Sequence, residues 1–250
     1  MRKKIIIPTM FLFLTPFSTI FAQPTDATLE PALVSKLAIL AGLALLPFAV
    51  MLLTSFVKII IVLSLFRNAL GIQQTPPNQV LNGLALLLTI YVMFPTGLAM
   101  YNSSKDVIAK AGTSPVFSPQ SAQSIIEIVD ASKEPLKGFL LRNTMTKHIK
   151  SFYQLAYKIF PEPYKSSLKP NDFIILMPSY ITSQLKAAFE IGVLIYLPFF
   201  VIDIVTSNIL LAMGMMMLSP LTIALPIKLL LLVMVDGWTL LVQGLVMTFK

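Results

Sequence analysis

No cysteine occurs in these 250 residues, and histidine occurs once, at His148. Disulfides and thiolate nucleophiles are thereby excluded, and so are most transition-metal sites, which draw their ligands from those two side chains. Charge is scarce too. Only 12% of residues are charged, where soluble domains carry about 25%. With 56% hydrophobic residues and a mean hydropathy of +0.82, the composition is that of a membrane protein. The formal net charge is +8, but the basic residues are dispersed, with no basic helix or sheet studded with aromatics, which argues against nucleic acid as a partner. Anionic lipid headgroups or neighbouring subunits account for the excess more simply. Enzyme signatures are missing as well: no H-E-x-x-H, no phosphate-binding glycine loop, no cysteine box. His148 lies in KHIK within a polar stretch, away from the serines of the apolar runs. It reads as a solvent-facing helix residue without a serine to activate. No catalytic residue, metal site or cofactor is expected.

The chain contains long apolar runs broken by proline. MRKK followed by IIIPTMFLFLTPFSTIF and FAQ reads as a secretory signal over 1–22, although Ile20 at the minus-three position fits the small-residue rule poorly. A retained first transmembrane helix is the alternative. A second run, Leu33 to Phe66, is 34 residues long, or ~50 Å as one helix. That is too long for a bilayer core of about 30 Å and too short for two passes. Pro47 is placed to kink it, and Thr54, Ser55 and Lys58 interrupt it. Arg67 and Gly71 in RNALG are a helix end, basic last turn and left-handed cap together. QQTPPNQ makes the turn, with Thr75 as N-cap and Pro76 at the first helical position. Residues 59–70 and 76–94 are thus expected to form an antiparallel hairpin within an N-terminal hydrophobic unit, 23–101.

From 102 to 172 the chain holds ten Lys/Arg and six Asp/Glu. SSKDVIAKAGTSPVFSPQ reads as a loop, and the segments around Ile125–Leu140 and HIKSFYQLAYKIF as amphipathic helices. This is a polar, mostly helical extramembrane domain. Residues 173–250 return to apolar hairpins, interrupted by Pro178, Pro198, Pro220 and Pro226. The fold class expected is all-α, built of kinked helical hairpins.

Two features are out of place in such runs. Lys58, Lys186, Glu190, Asp203, Lys228 and Asp236 lie in or beside apolar helices, where each costs about 2.5 kcal/mol or more if it faces lipid. Lys186 and Glu190, four residues apart, can pair on one helical face. The others need partners on another helix or another subunit. The second feature is LLAMGMMMLSP, with Met213, Met215, Met216 and Met217 around Gly214, just before a Ser219–Pro220 break. Methionine is flexible and specifies packing poorly. A cluster at a helix end is either ordinary filling or a compliant apolar constriction.

TSFVKIIIVLSLFRNALGIQQTPPNQVLNGLAL, YITSQLKAAFEIGVLIYLPFFVIDIVTSNILLAMGMMMLSP and LPIKLLLLVMVDGW closely resemble the FliP/SctR family, the export-gate proteins of bacterial type III secretion. AFEIG, VMFPT and SNILLAMG favour the injectisome branch over the flagellar one. The resemblance covers 37–101 and 173–249 and is weak through the polar middle. It implies a homo-oligomer of about five copies in a closed assembly, stacked with FliQ/SctS-like and FliR/SctT-like subunits. The complex is a helical, pseudo-symmetric, conical pore in the bacterial inner membrane, extending to the periplasmic side, through which unfolded proteins are exported. It further implies that Met213, Met215, Met216 and Met217 form the gasket that seals this pore. Arg67 and the buried charges become contacts within or between subunits.

One departure stands out. The family often reads S-E-L-K where this chain has Ser183, Gln184, Leu185 and Lys186, and often has a neutral residue at Glu190. Six positions correspond to about 120° around a helix, so an acid-to-Lys228 contact between neighbours does not transfer to Gln184. A neutral hydrogen bond is expected for Gln184 and a local pair for Glu190 with Lys186. Competing readings are a small-solute or ion transporter using the intramembrane charges, and a scaffold that lines nothing.

Overall fold

A computed structural model describes residues 31–72, 75–111, 119–215 and 217–250; the expected signal, 1–22, lies outside them. Every regular element among the described residues is helical: α1 (Pro31–Leu53), α2 (Phe56–Leu70), α3 (Asn78–Ala111), α4 (Pro119–Arg142), α5 (Thr146–Ile159), α6 (Tyr164–Ser167), α7 (Phe173–Ala212), α8 (Pro220–Met234) and α9 (Gly237–Met247). The chain is all-α, as its apolar periodicity requires.

The break in the first long run falls at Thr54–Ser55, where the two apolar helices diverge by 63°; Pro47 sits inside α1. The cause is side-chain competition for the backbone. Thr54 Oγ1 donates to Val50 O at 2.5 Å and accepts from the Phe56 N–H at 3.4 Å, offering the chain an alternative to the helical ladder. The carbonyl of Thr54 is taken up across the fold by the Tyr180 hydroxyl of α7, at 2.9 Å.

α2 is the centre of the molecule. Ile59, Val62, Leu63, Phe66, Ala69 and Leu70 are all buried, against Leu81 and Ala85 of α3, Ala188 and Phe199 of α7, Leu232 of α8, and Leu241 and Leu245 of α9. α2 and α7 approach closely because Gly192 has no side chain: a Cβ there would collide with Leu65. Phe66 meets Trp238 edge-on, ring centroids 5.0 Å apart, a favoured aromatic geometry. A second cluster, Phe139, Leu140, Leu176 and Tyr180, joins α4 to α7.

Two expectations about boundaries are corrected. α3 starts at Asn78 rather than Pro76. It also runs on through SSKDVIAKA to Ala111, where a loop was expected. Ser103 and Ser104 donate their hydroxyls back to Ala99 O (2.9 Å) and Met100 O (2.8 Å) of the same helix, which satisfies these polar side chains inside a helix that continues past them. α4 then packs along α3, and α5 against α7.

Helix α7, with 40 residues, is ~60 Å long, twice a bilayer core. Asn78–Ala109 and Phe173–Ala212 are each long and apolar enough to cross a membrane, and the bent pairs α1–α2 and α8–α9 make up to four spans by length and composition. Much of this apolar surface is uncovered. Leu87, Ile90 and Phe94 of α3 and Val193, Leu194 and Val201 of α7 are exposed.

Candidate functional site

The methionine cluster is a hairpin tip. α7 ends in a Schellman motif: the Gly214 N–H reaches Leu211 O at 3.0 Å, and the Met215 N–H reaches back to Leu210 O at 3.0 Å. This closure needs a left-handed residue after the cap, and Gly214, at φ +71°, supplies it. α8 restarts at once, with Ser219 preceding Pro220 at its first position, where the missing proline N–H is no loss. The tip is therefore short and fixed at both ends. Met213 and Met215 are exposed on it and Met217 fully so; Met216 lies outside the described residues.

The first hairpin tip ends against α8. Gly71, at φ +79°, closes α2 with its N–H 3.0 Å from Asn68 O. A Cβ on Gly71 would lie 3.1 Å from Leu221 Cδ1 and 3.9 Å from Lys228 Nζ. RNALG thus lies against α8, far away in the chain, which follows the methionine tip. Arg67 ties down the first tip by donating from Nη1 to Asn78 Oδ1 (2.6 Å) and Pro76 O (3.2 Å).

Lys228 joins these elements. Its ammonium is buried and donates to Ala69 O in the last turn of α2 (3.0 Å) and to Asp203 Oδ2 of α7 (2.7 Å). A cation at a helix C-terminus meets carbonyls that have no partner within the helix, together with the negative end of the macrodipole. One side chain thus holds α2, α7 and α8 together, about two turns of α8 from the methionine tip.

The remaining charges are placed differently. Lys186 and Glu190 pair on the outside of α7 at 3.2 Å, both largely exposed. Asp236 is exposed and only accepts from the Thr239 hydroxyl, at 2.9 Å. Lys58 is buried without a carboxylate partner among the described residues; its Nζ is 3.4 Å from Thr248 O and 3.6 Å from the centre of the Phe249 ring, a cation–π arrangement. Gln184 donates from Nε2 to Asn143 O at 2.6 Å, while its Oε1 is buried without a hydrogen-bond partner among the described residues.

His148 is a correction. It is buried, with Nδ1 2.8 Å from Ser183 Oγ; the solvent-facing position and the absence of a nearby serine both fail. Helical spacing gives α5 a buried face but not the identity of its neighbour, and α7 presents Ser179 and Ser183 there. Proton bookkeeping nonetheless argues against an activated serine. Ser183 Oγ accepts from the Met145 N–H at 3.1 Å and lies 2.8 Å from Ser179 O. A hydroxyl has one proton, so satisfying all three contacts sends it to Ser179 O and leaves His148 Nδ1 as a donor. A donor cannot act as the base. No cluster of potential metal ligands occurs among the described residues.

The sequence profile of the FliP family matches residues 39–245. The chain belongs to the FliP family. Among its relatives, Yop proteins translocation protein R of Yersinia pestis is 43% identical over 221 residues, covering 88% of this chain and 97% of the relative. The hypersensitivity response secretion protein HrcR of Ralstonia nicotianae is 40% identical, covering 86% and 97%. The flagellar biosynthetic protein FliP of Pectobacterium carotovorum is 42% identical, covering 86% and 78%. FliP-family proteins are structural components of type III secretion machinery rather than enzymes. The matched span contains both hairpin tips and Lys228.

Proposed function

We propose that this FliP-family chain is a pore-forming core subunit of a type III export apparatus, conducting unfolded proteins across the bacterial inner membrane. In this reading about five copies close around a common axis with FliQ/SctS-like and FliR/SctT-like subunits, and the complex extends to the periplasmic side. The 102–172 segment is its extramembrane part. Met213, Met215, Met216 and Met217 form the gasket.

The observation that carries the reading is the exposed methionine tip, closed by a Schellman motif on one side and by Pro220 at the start of α8 on the other, with Lys228 tying α8 to α2 and α7. Soft side chains on a rigid mount make a seal that yields to chains of any sequence and closes again. The uncovered apolar faces of α3 and α7 support assembly, since patches of that extent mark interaction surfaces or lipid contact. A transporter working through intramembrane charges has less support, because Lys228 and Lys186 already have carboxylate partners in the same chain.

Deleting Met215–Met217 tests the gasket. Ion leakage in cells should rise while the complex still assembles with its normal mass. Unchanged conductance with normal assembly favours the scaffold reading, and a stable lone protomer in mild detergent removes the pore reading altogether.

A further inference from the structure

Helix α9 lies over an open apolar hollow of about 460 Å³, lined by Phe66, Ile195, Phe199, Leu232, Leu241 and Leu245 among others. Leu241 and Leu245 anchor it to the core, but the hollow leaves part of its length without close packing, so its two ends also matter for its position. One end is an elbow. α8 and α9 meet at 64°, and the bend passes through Asp236 at φ 50°, ψ 46°. This is the one positive φ among the described non-glycine residues. Aspartate enters the left-handed region more readily than most L-residues, and here the Thr239 hydroxyl donates to Asp236 Oδ1 at 2.9 Å.

The other end is tied to the polar helices. Asn143, in the turn between α4 and α5, grips the main chain of Lys250 from both sides: Oδ1 accepts from the Lys250 N–H at 3.0 Å, and Nδ2 donates to Lys250 O at 3.0 Å. Arg142 Nε adds a donation to the same carbonyl at 3.4 Å. The Phe249 ring between them packs against both core clusters and carries the Lys58 ammonium on its face. The turn itself is seated on α7, because Gln184 holds Asn143 O and Ser183 Oγ receives the Met145 N–H.

We propose that residues 248–250 are a strap, latched by Asn143, which holds α9 across the hollow and thereby fixes the elbow at Asp236. Asn143 is a positioning residue for the α8–α9 arm. Because the latch sits on a turn docked to α7, a shift of the polar helices away from α7 loosens the arm that begins at the methionine tip. This inference concerns the protomer and stands whether or not the protein conducts.

Amide hydrogen exchange on the full chain, in the assembly in which it purifies, tests it. Asn143→Ala removes two hydrogen bonds to Lys250, so α9 amides should exchange about tenfold faster, with α2 and α5 amides unchanged. Unaltered exchange in α9 overturns the proposal. If Asn143→Ala speeds α2 and α5 as well, or fails to fold, deletion of 248–250 decides, since it leaves the α4–α5 turn intact. Selective loss of protection in α9 sustains the strap; no change, or a uniform change, overturns it. The chain has no native cysteine, so an Asn143→Cys, Lys250→Cys pair can be bridged cleanly with a short bis-maleimide. The bridged protein should exchange more slowly in α9 than the parent, and equal or faster exchange counts against the strap.

Discussion

α2 and the outer half of α7 are built from the same amino acids and live in opposite surroundings. In α2, FVKIIIVLSLFRNAL buries Ile59, Val62, Leu63 and Phe66 completely or nearly so. In α7, GVLIYLPFFV leaves Val193, Leu194, Leu197 and Phe200 exposed. Hydropathy does not separate them. α2 is enclosed because α3, α7, α8 and α9 all pack on it, whereas the outward face of α7 has no partner among the described residues. The charges divide in the same way. Lys228 is sealed in behind two acceptors, and Lys186 sits on the surface beside Glu190. The inner region carries the protomer's own stability. The outer region is left for whatever surrounds it.

That division is breakable by substitution. Leu63→Ala opens a cavity in a site with no exposure, and a loss of about 3 kcal/mol in unfolding free energy is expected, read from denaturant titration in detergent. Leu194→Ala on α7, the same chemistry on the outer face, should change protomer stability by less than about 0.5 kcal/mol yet weaken assembly, seen as a lower-mass species. Equal costs for the two leucines would erase the distinction.

Asp203→Ala leaves the Lys228 ammonium buried with only Ala69 O to receive it. Because Asp203 is itself 34% exposed, the cost falls below that of a fully buried pair, at about 2 kcal/mol. Arg67→Ala unties the first hairpin tip from Pro76 and Asn78 and should cost about 1 kcal/mol, again by denaturation midpoint. Smallest of all, Lys186→Ala removes an exposed helix pair worth about 0.3–0.5 kcal/mol. A loss from Lys186→Ala as large as that from Asp203→Ala would show the outer pair to be buried in the assembly.

Legibility differed between local and distant features. Gly71 and the Ser219–Pro220 break could be read as helix boundaries because capping is a matter of a few neighbouring residues, while the left-handed cap at Gly214 appears only in the structure. The pairing of Lys186 with Glu190 follows from a spacing of four. The partners of Lys228 were not legible: Ala69 is 159 residues away and Asp203 25, and nothing local links them. His148 was misplaced for a related reason. Its polar neighbours Lys147 and Lys150 suggest solvent, but α5 turns this one position toward Ser183. The break at Thr54–Ser55 could be read among the interruptions of the first run, beside Pro47; what the sequence did not show was the Tyr180 hydroxyl that donates to the carbonyl of Thr54. The extension of α3 through Ser103 and Ser104 was missed because a polar segment carries little apolar periodicity, and its packing against α4 is a distant contact.

By itself the sequence determined an all-helical chain, the ends of its hairpins, its family, and the placement of four thioethers beside a glycine at one turn. These depend on composition and on contacts within a few residues. Only the tertiary structure decided that the end of α2 lies against α8 and Lys228, which apolar faces are enclosed, and that residues 248–250 return to Asn143. Those outcomes depend on which helices share a boundary, and apolar surface, being non-directional, does not encode that choice in any single segment.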